Sequence, residues 1–275
     1  MSKKLKIPKF KTDKKLFDFL VQNKRELIQQ KKRSLKRAKS NFDIKLHSGK
    51  VTAKNEVGVD NENNDKFIER KCVINSCGIL DSHRDVHIPK LWNNSLKQNT
   101  RILHVQEHKS NSFKHIISSG DDLEVYTKTY TWKELGLDIA GKTEVLEFNS
   151  TIRNKRNKFM YKQYRKGYVN EHSVGMYYVK IVLCINDPEY GAEYEAYEKY
   201  EKYIVNKDDI DRYFWAVTEA KVIEGSAVPS GSNPITPTLN NKSNNKSKNR
   251  KKRKKNKKSA KSKKDKALIK WLEDC

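Results

Sequence analysis

The chain has 275 residues and a formal net charge of +25, and this charge is concentrated at its two ends. Residues 1–40 carry 15 Lys and Arg against three acidic residues, and residues 242–266 carry 15 against Asp265 alone, whereas residues 41–241 hold 28 of each sign. The neutral middle excludes a basic nucleic-acid-binding domain, so any affinity for polyanions belongs to the two ends.

The cysteines and the hydropathy pattern indicate the compartment. Four cysteines at irregular spacings (Cys72, Cys77, Cys184 and Cys275) do not form a disulfide framework in a chain of this length, which favours a reducing environment. No apolar segment follows the opening lysines, and no apolar run approaches the ~18 residues that a membrane span requires. We therefore expect a soluble protein made in the cytoplasm.

The first predicted element is an amphipathic helix over residues 13–38. Apolar residues recur on one face at helical spacing, and lysines occupy much of the remaining surface. Residues 48–66 are rich in Asn, Asp and Gly, which predicts a loop or an edge hairpin. The apolar face of the helix comprises Leu16, Phe17, Leu20, Leu27, Ile28 and Leu35.

Short apolar runs separated by turn residues predict strands from residue 67 onward. Pro89 occupies the first position of a predicted short helix with Leu91, Trp92 and Leu96, and residues 158–166 predict another helix, which Gly167 ends. The runs that we interpret as strands are 72–74, 79–80, 101–105, 114–117 and 123–126.

The strongest predicted strand covers residues 173–185. Both of its faces carry apolar side chains, which is typical of a central strand covered on each side. Residues 187–203 interleave Glu with Tyr and predict an inserted acidic helix, and residues 213–223 return to a strand pattern. Beyond Pro229 the periodicity disappears, and an Asn-, Lys- and Ser-rich segment follows that cannot bury enough apolar area to offset its ordering entropy.

These elements predict an α+β fold, mostly an antiparallel β-barrel with surrounding helices. We divide the chain into a basic amphipathic N-terminal helix region (1–45), a folded domain (65–235) and a disordered Lys-rich tail (236–275). The chain has no βαβ alternation and no Gly-rich phosphate-binding motif, so nucleotide chemistry has no support.

Near the start of the folded domain, four possible zinc ligands follow one another closely: Cys72, Cys77, His83 and His87. Only five residues separate Cys77 from His83, whereas a zinc finger needs about twelve for its hairpin and helix. We therefore predict no metal site and no cofactor.

Ser173 and His108 are the candidate catalytic pair. Ser173 opens the strongest strand, where the sheet rather than a loop would hold a nucleophile in one geometry. His108 follows a predicted strand and precedes a polar turn. His104 lies four residues earlier, on the same face if the strand continues to His108, so it is the alternative base.

Four segments in order resemble the motifs of tailed-phage prohead (capsid maturation) proteases, serine proteases of the herpesvirus assemblin type. Residues 80–87 (LDSHRDVH) resemble the family's Asp-x-x-x-Asp segment, which a Trp follows, and residues 102–108 (ILHVQEH) resemble its histidine strand. Residues 171–176 (EHSVGM) are similar to its nucleophile motif, and residues 219–229 (EAKVIEGSAVP) are similar to its closing strand. The resemblance covers about residues 72–235 and departs from the family at 113–116, where Pro-Ile-Gly is usual.

The resemblance implies a barrel similar to assemblin and a serine endopeptidase with Ser173 as nucleophile and His108 as base. Its substrates would be scaffold and major capsid precursors, and the chain itself, inside the assembling procapsid in the host cytoplasm. Glu224 and Glu171 are the two candidates for the third catalytic residue, and we favour Glu224. The basic ends would contact an acidic scaffold or DNA, and no membrane partner is expected.

Two other functions remain open at this level. A non-catalytic scaffold or internal capsid protein with basic arms would keep the fold without needing the Ser173 and His108 pair. An RNA-binding protein would account for the basic ends, but it predicts aromatic residues interleaved with Lys and Arg on one sheet face. The tyrosines instead cluster among glutamates in the segment 190–203.

Overall fold

The computed structural model of the chain describes residues 5–35, 66–98 and 101–239. The helices are Asp13–Gln22 (α1), Lys24–Arg33 (α2), Asn93–Lys97 (α3), Lys158–Arg165 (α4) and Gly191–Glu201 (α5). The strands are Phe67–Ser76 (β1), Asp85–His87 (β2), Leu103–Gln106 (β3), Ile116–Ser119 (β4), Leu123–Thr131 (β5), Lys142–Arg153 (β6), His172–Ile185 (β7), Tyr213–Ala227 (β8) and Thr238–Leu239 (β9).

The described strands form two sheets, and the α+β class is confirmed. The first sheet is antiparallel, in the order β5-β6-β1-β9. The second is mixed: β2 and β3 both run parallel to β8, whereas β7 is antiparallel to it over its whole length, and β4 is antiparallel to β3. No single closed barrel links the described strands, because no strand of one sheet pairs with a strand of the other.

The two sheets pack against each other through large apolar side chains. Ile74 of β1 and Phe148 of β6 meet β8 at Gly225, where an added Cβ would lie 2.5 Å from the Phe148 ring and 3.0 Å from Ile74. All three positions belong to the interior that β1, β6, β7 and β8 share. The close approach requires glycine at this point of β8.

The N-terminal helices dock on this domain. The structure has two helices where the sequence predicted one over 13–38, because the Asn23 side chain donates to the Phe19 carbonyl at 2.8 Å and ends α1. Leu16, Phe17 and Leu20 are buried in the main core, as is Leu27 of α2. This segment is therefore packed onto the domain over its described part rather than standing apart as a separate region.

The predicted boundaries of the folded domain need correction at one end. β9 pairs with β1, and Thr236 is buried, so the fold extends to Leu239 and not to residue 235. Residues 48–65 of the loop or edge hairpin predicted over 48–66, and the rest of the Lys-rich tail from residue 240, lie outside the described residues. None of the described helices is long and apolar enough to cross a membrane.

Candidate active site

The candidate catalytic residues meet where β3, β7 and β8 adjoin. Ser173 of β7 lies directly opposite Ser226 of β8, and Gly175 lies opposite Glu224. Opposite residues of an antiparallel pair share a face, and so do residues two apart on one strand. Ser173, Ser226 and Glu224 therefore lie on one face of this sheet, and β3 approaches Glu224 and Ser226 from the other edge of β8.

His108 reaches this face through a turn with unusual backbone geometry. Glu107 and His108 have φ values of 51° and 57°, in the left-handed region that non-glycine residues adopt at a cost. The His108 N–H donates to Ser226 Oγ at 2.8 Å, and the Glu107 N–H donates to the Ala227 carbonyl at 2.9 Å. The end of β8 thus holds the turn and points the imidazole back along the strand.

Glu224 contacts the imidazole. Its Oε1 lies 2.7 Å from His108 Nδ1, and its side chain is fully buried. Room for this carboxylate comes from Gly175, where an added Cβ would lie 2.2 Å from Oε1. Since the carboxylate accepts, the neutral ring carries its proton on Nδ1 and presents a lone pair at Nε2.

Ser173 lies beside this pair without a hydrogen bond to it. Cross-strand neighbours have Cβ atoms about 4.5–5.5 Å apart, so Ser173 is adjacent to Ser226, which itself accepts from the His108 backbone. His108 Nε2 is buried and has no hydrogen-bond partner among the described residues. The structure thus brings His108 and Glu224 into contact and places Ser173 on the same face, with the serine–histidine hydrogen bond unformed.

Glu171 has a different position. Its Oε2 accepts from the Gly231 N–H at 2.8 Å, and its carbonyl accepts from the Val228 N–H at 3.2 Å. Both contacts hold the loop that follows β8. Of the two glutamates, only Glu224 makes a hydrogen bond to His108 in the described structure.

His104, the alternative base, lies in the core. Its Nδ1 lies 2.9 Å from Ser150 Oγ, its Nε2 lies 3.0 Å from Tyr164 Oη, and its ring packs edge-on against Phe148. Burial lowers the pKa of His104 well below its usual range. The expectation that His104 and His108 share a face is wrong, because β3 ends at Gln106 and the left-handed turn breaks the strand alternation.

Ser173 also lines a small cleft together with Asn75, Asp81 and His87. His87 Nδ1 and Asn75 Nδ2 are 2.8 Å apart, while His87 Nε2 and Asn75 Oδ1 have no partner among the described residues. Burial lowers the pKa of His87 to about 4, and burial beside the Asp85 carboxylate raises the pKa of Asp81 to about 7. These polar groups therefore adjoin the candidate nucleophile.

The four residues considered for a zinc finger do not gather. His87 faces Asn75, His83 is exposed, and Cys77 is buried elsewhere in the core. Cys72 instead lies in a buried group with His104 and His172, two histidines that the sequence reasoning had not joined to it. Burial lowers the pKa of His172 to about 4 and raises the pKa of Cys72 to about 12.

Two further residues shape the site, and the sequence had given no role to either of them. Gly175 provides the space for Glu224, and the Ser226 hydroxyl accepts from the His108 backbone. Both lie inside the motif segments 171–176 and 219–229, so their presence in those segments was the available signal. Comparison with protein-family models, curated proteins and solved structures found no match to this chain.

Proposed function

We propose that this chain is a serine endopeptidase that processes scaffold and major capsid precursors, and itself, during maturation of a phage procapsid. One observation carries the proposal: Glu224 Oε1 holds His108 Nδ1 at 2.7 Å and leaves Nε2 free on the sheet face that bears Ser173. Such an order of carboxylate, imidazole and hydroxyl is the arrangement that activates a serine nucleophile.

Each side chain then has one role. His108 Nε2 takes the proton of the Ser173 hydroxyl as Oγ attacks the peptide carbonyl, and it returns that proton to the leaving amine. A water molecule, deprotonated by the same nitrogen, hydrolyses the acyl-enzyme. Glu224 holds the ring tautomer and stabilises the imidazolium that forms. In this proposal the missing hydrogen bond between Ser173 and His108 forms in the substrate complex, because catalytic hydrogen bonds often tighten only once substrate is present.

An assemblin-like architecture belongs to the same proposal. Its support is the packing of β8 on β1 and β6 through Phe148 and Ile74, with helices docked outside the sheets. In this interpretation the two sheets correspond to a barrel that is open between them. The family resemblance of the motif segments supports the location, inside the assembling procapsid in the host cytoplasm.

The basic ends are proposed as electrostatic tethers to an acidic scaffold, with packaged DNA as a second polyanion. The support is the charge distribution, since residues 242–266 carry 15 Lys and Arg against one acid. Such binding weakens steeply with salt. Deleting residues 240–275 should lower the number of enzyme copies per procapsid and leave cleavage of a short peptide unchanged. Equal copy numbers with and without these residues would contradict the proposed tether.

The experiment that tests the function is precursor processing by matched serine variants. Ser173→Ala should abolish cleavage of co-expressed scaffold and capsid precursors while the protein stays folded, because loss of a catalytic serine costs many orders of magnitude in rate. Ser232→Ala changes another serine that lines the same cleft and should process normally. His108→Ala should match the loss in Ser173→Ala, since the two act as one unit.

Wild-type processing by Ser173→Ala would overturn the assignment. If the wild type also fails to process the precursors but is incorporated into procapsids, the result would instead favour a non-catalytic scaffold or internal capsid protein. Circular dichroism on each variant separates loss of chemistry from loss of fold.

A further inference from the structure

Four buried side chains converge on one point inside the fold. Cys72 comes from β1, His104 from β3, His172 from the start of β7 and Tyr164 from α4. The ligand atoms of Cys72, His104 and His172 lie within 4.8 Å of one another. Tyr164 Oη lies 3.0 Å from His104 Nε2, 2.9 Å from His172 Nε2 and 3.9 Å from Cys72 Sγ.

Contacts on the far side of each ring fix its orientation. His172 Nδ1 lies 2.8 Å from the Thr236 carbonyl, which can only accept, so the proton is on Nδ1 and the Nε2 lone pair points inward. His104 Nδ1 lies 2.9 Å from Ser150 Oγ, which in turn lies 2.6 Å from Ser118 Oγ. Metal-binding histidines are held in this way, with the outer nitrogen on an oxygen of the protein.

We propose that Cys72, His104, His172 and Tyr164 form a structural zinc site. Tetrahedral zinc with the usual Zn–N and Zn–S bonds separates its ligand atoms by about 3.3–3.7 Å. The distances from Tyr164 Oη to the other three atoms run from 2.9 to 3.9 Å, and those three atoms lie within 4.8 Å of one another, so closing on the ion requires shifts of up to about one ångström.

The donor set and the burial select this class of metal. Imidazole nitrogen with thiolate sulfur suits zinc and disfavours magnesium or calcium, which prefer oxygen. Cys72, His104 and His172 are fully buried, and Tyr164 is 2% exposed. Such a closed site leaves no coordination position for a substrate, which makes its role structural rather than catalytic.

The proposed zinc site lies next to the segments that carry Ser173 and His108. His172 directly precedes Ser173, and β3 carries His104 just before the turn that presents His108. A zinc ion would join β1, β3, β7 and α4 and contribute its binding free energy to folding. Without an ion, the same atoms form a relay in which the His104 Nε2–H donates to Tyr164 Oη and the Tyr164 hydroxyl donates to His172.

Elemental analysis of the full chain, produced in zinc-supplemented medium and purified without chelator, tests the site. We expect about one zinc ion per chain in the wild type, as in other closed four-ligand sites. Cys72→Ala should reduce the content at least about tenfold, since it removes the only sulfur ligand. Cys184→Ala is the matched control, because Cys184 is also a buried free thiol but belongs to a different part of the core.

Cobalt substitution keeps the test decisive if Cys72→Ala fails to fold. The wild type, refolded with cobalt, should show the near-ultraviolet thiolate-to-cobalt absorption of a site with one sulfur ligand, and Cys184→Ala should retain it. The zinc site would be wrong if the folded wild type binds neither metal, or if it shows cobalt absorption without a thiolate band. The four side chains would then form only the hydrogen-bond relay through Tyr164. Neither readout uses peptidase activity.

Discussion

At the scale of single residues, the proposed catalysis depends on which glutamate orients His108. Glu224→Gln replaces the acceptor at Oε1 by an amide that can donate to Nδ1, so the ring is held in the wrong tautomer. We expect kcat/KM on a short precursor-derived peptide to fall roughly a thousandfold or more, as for other triads that lose this carboxylate.

Glu171→Gln is the matched control for that measurement. Glu171 contacts Gly231 and not His108 within the described structure, so activity should change little. The opposite ranking of the two variants would move the orienting role to Glu171 and separate the observed His108–Glu224 contact from catalysis.

The identities of these residues could be predicted from sequence more readily than their arrangement. Ser173, His108 and Glu224 each stand in a recognisable segment, but no pattern reveals that Gly175 must lack a side chain so that Glu224 can lie over it. The left-handed backbone of Glu107 was equally hidden, because glutamate rarely adopts it. The wrong expectation about His104 followed from continuing β3 through this turn.

At the scale of elements, a buried ion pair helps to attach α2 to the domain. Lys31 of α2 pairs with Asp85 of β2, whose carboxylate is fully buried and also accepts from the Tyr178 hydroxyl at 2.8 Å. Lys31→Ala should destabilise the protein by about 3 kcal/mol, because it leaves a buried carboxylate without its cation. Urea unfolding of the variant measures the loss.

Lys14→Ala provides the comparison for that pair. Lys14 meets Glu189 at 3.0 Å with both side chains mostly exposed, and solvent screens such a contact. The urea midpoint for unfolding of Lys14→Ala should therefore remain close to that of the wild type. Equal effects of the two substitutions would mean that α2 does not depend on Asp85.

Long periodic elements were predictable, and pairings were not. The predicted strand at 173–185 corresponds to β7, and the predicted helix at 158–166 corresponds to α4. β6 was missed, although Leu146, Phe148, Ser150 and Ile152 alternate with more polar residues, which is the pattern of a strand. The parallel pairing of β2 and β3 with β8 leaves no mark in the apolar pattern, so the mixed sheet could not be foreseen.

At the scale of the whole molecule, buried His87 makes stability depend on pH. Its pKa is about 4 in the fold against 6.5 for the ordinary group, because burial disfavours the imidazolium while the nearby Asp85 and Lys31 charges oppose each other. Between pH 6.5 and 4 this histidine therefore binds more protons in the unfolded chain than in the fold, so its contribution to stability falls as pH falls through this window. His87 should account for about 1.5 kcal/mol between pH 6.5 and 5.

His87→Gln isolates this contribution, since it removes the titrating ring and leaves the carboxylates in place. Urea unfolding at pH 6.5 and pH 5 should show a smaller loss for the variant than for the wild type, by about the same 1.5 kcal/mol. An identical loss in both proteins would show that His87 does not set the acid sensitivity of the fold.

The proposed function requires that His108 activates Ser173 as a nucleophile, and covalent labelling measures this directly. The purified full chain is treated with a fluorophosphonate, which forms a stable ester with activated serines, and the modified peptide is identified by mass spectrometry. We expect a single adduct on Ser173, and His108→Ala should form it at least about a hundredfold more slowly because the general base is lost. A folded wild type with no adduct on Ser173, or equal labelling rates in the two proteins, would contradict the claim.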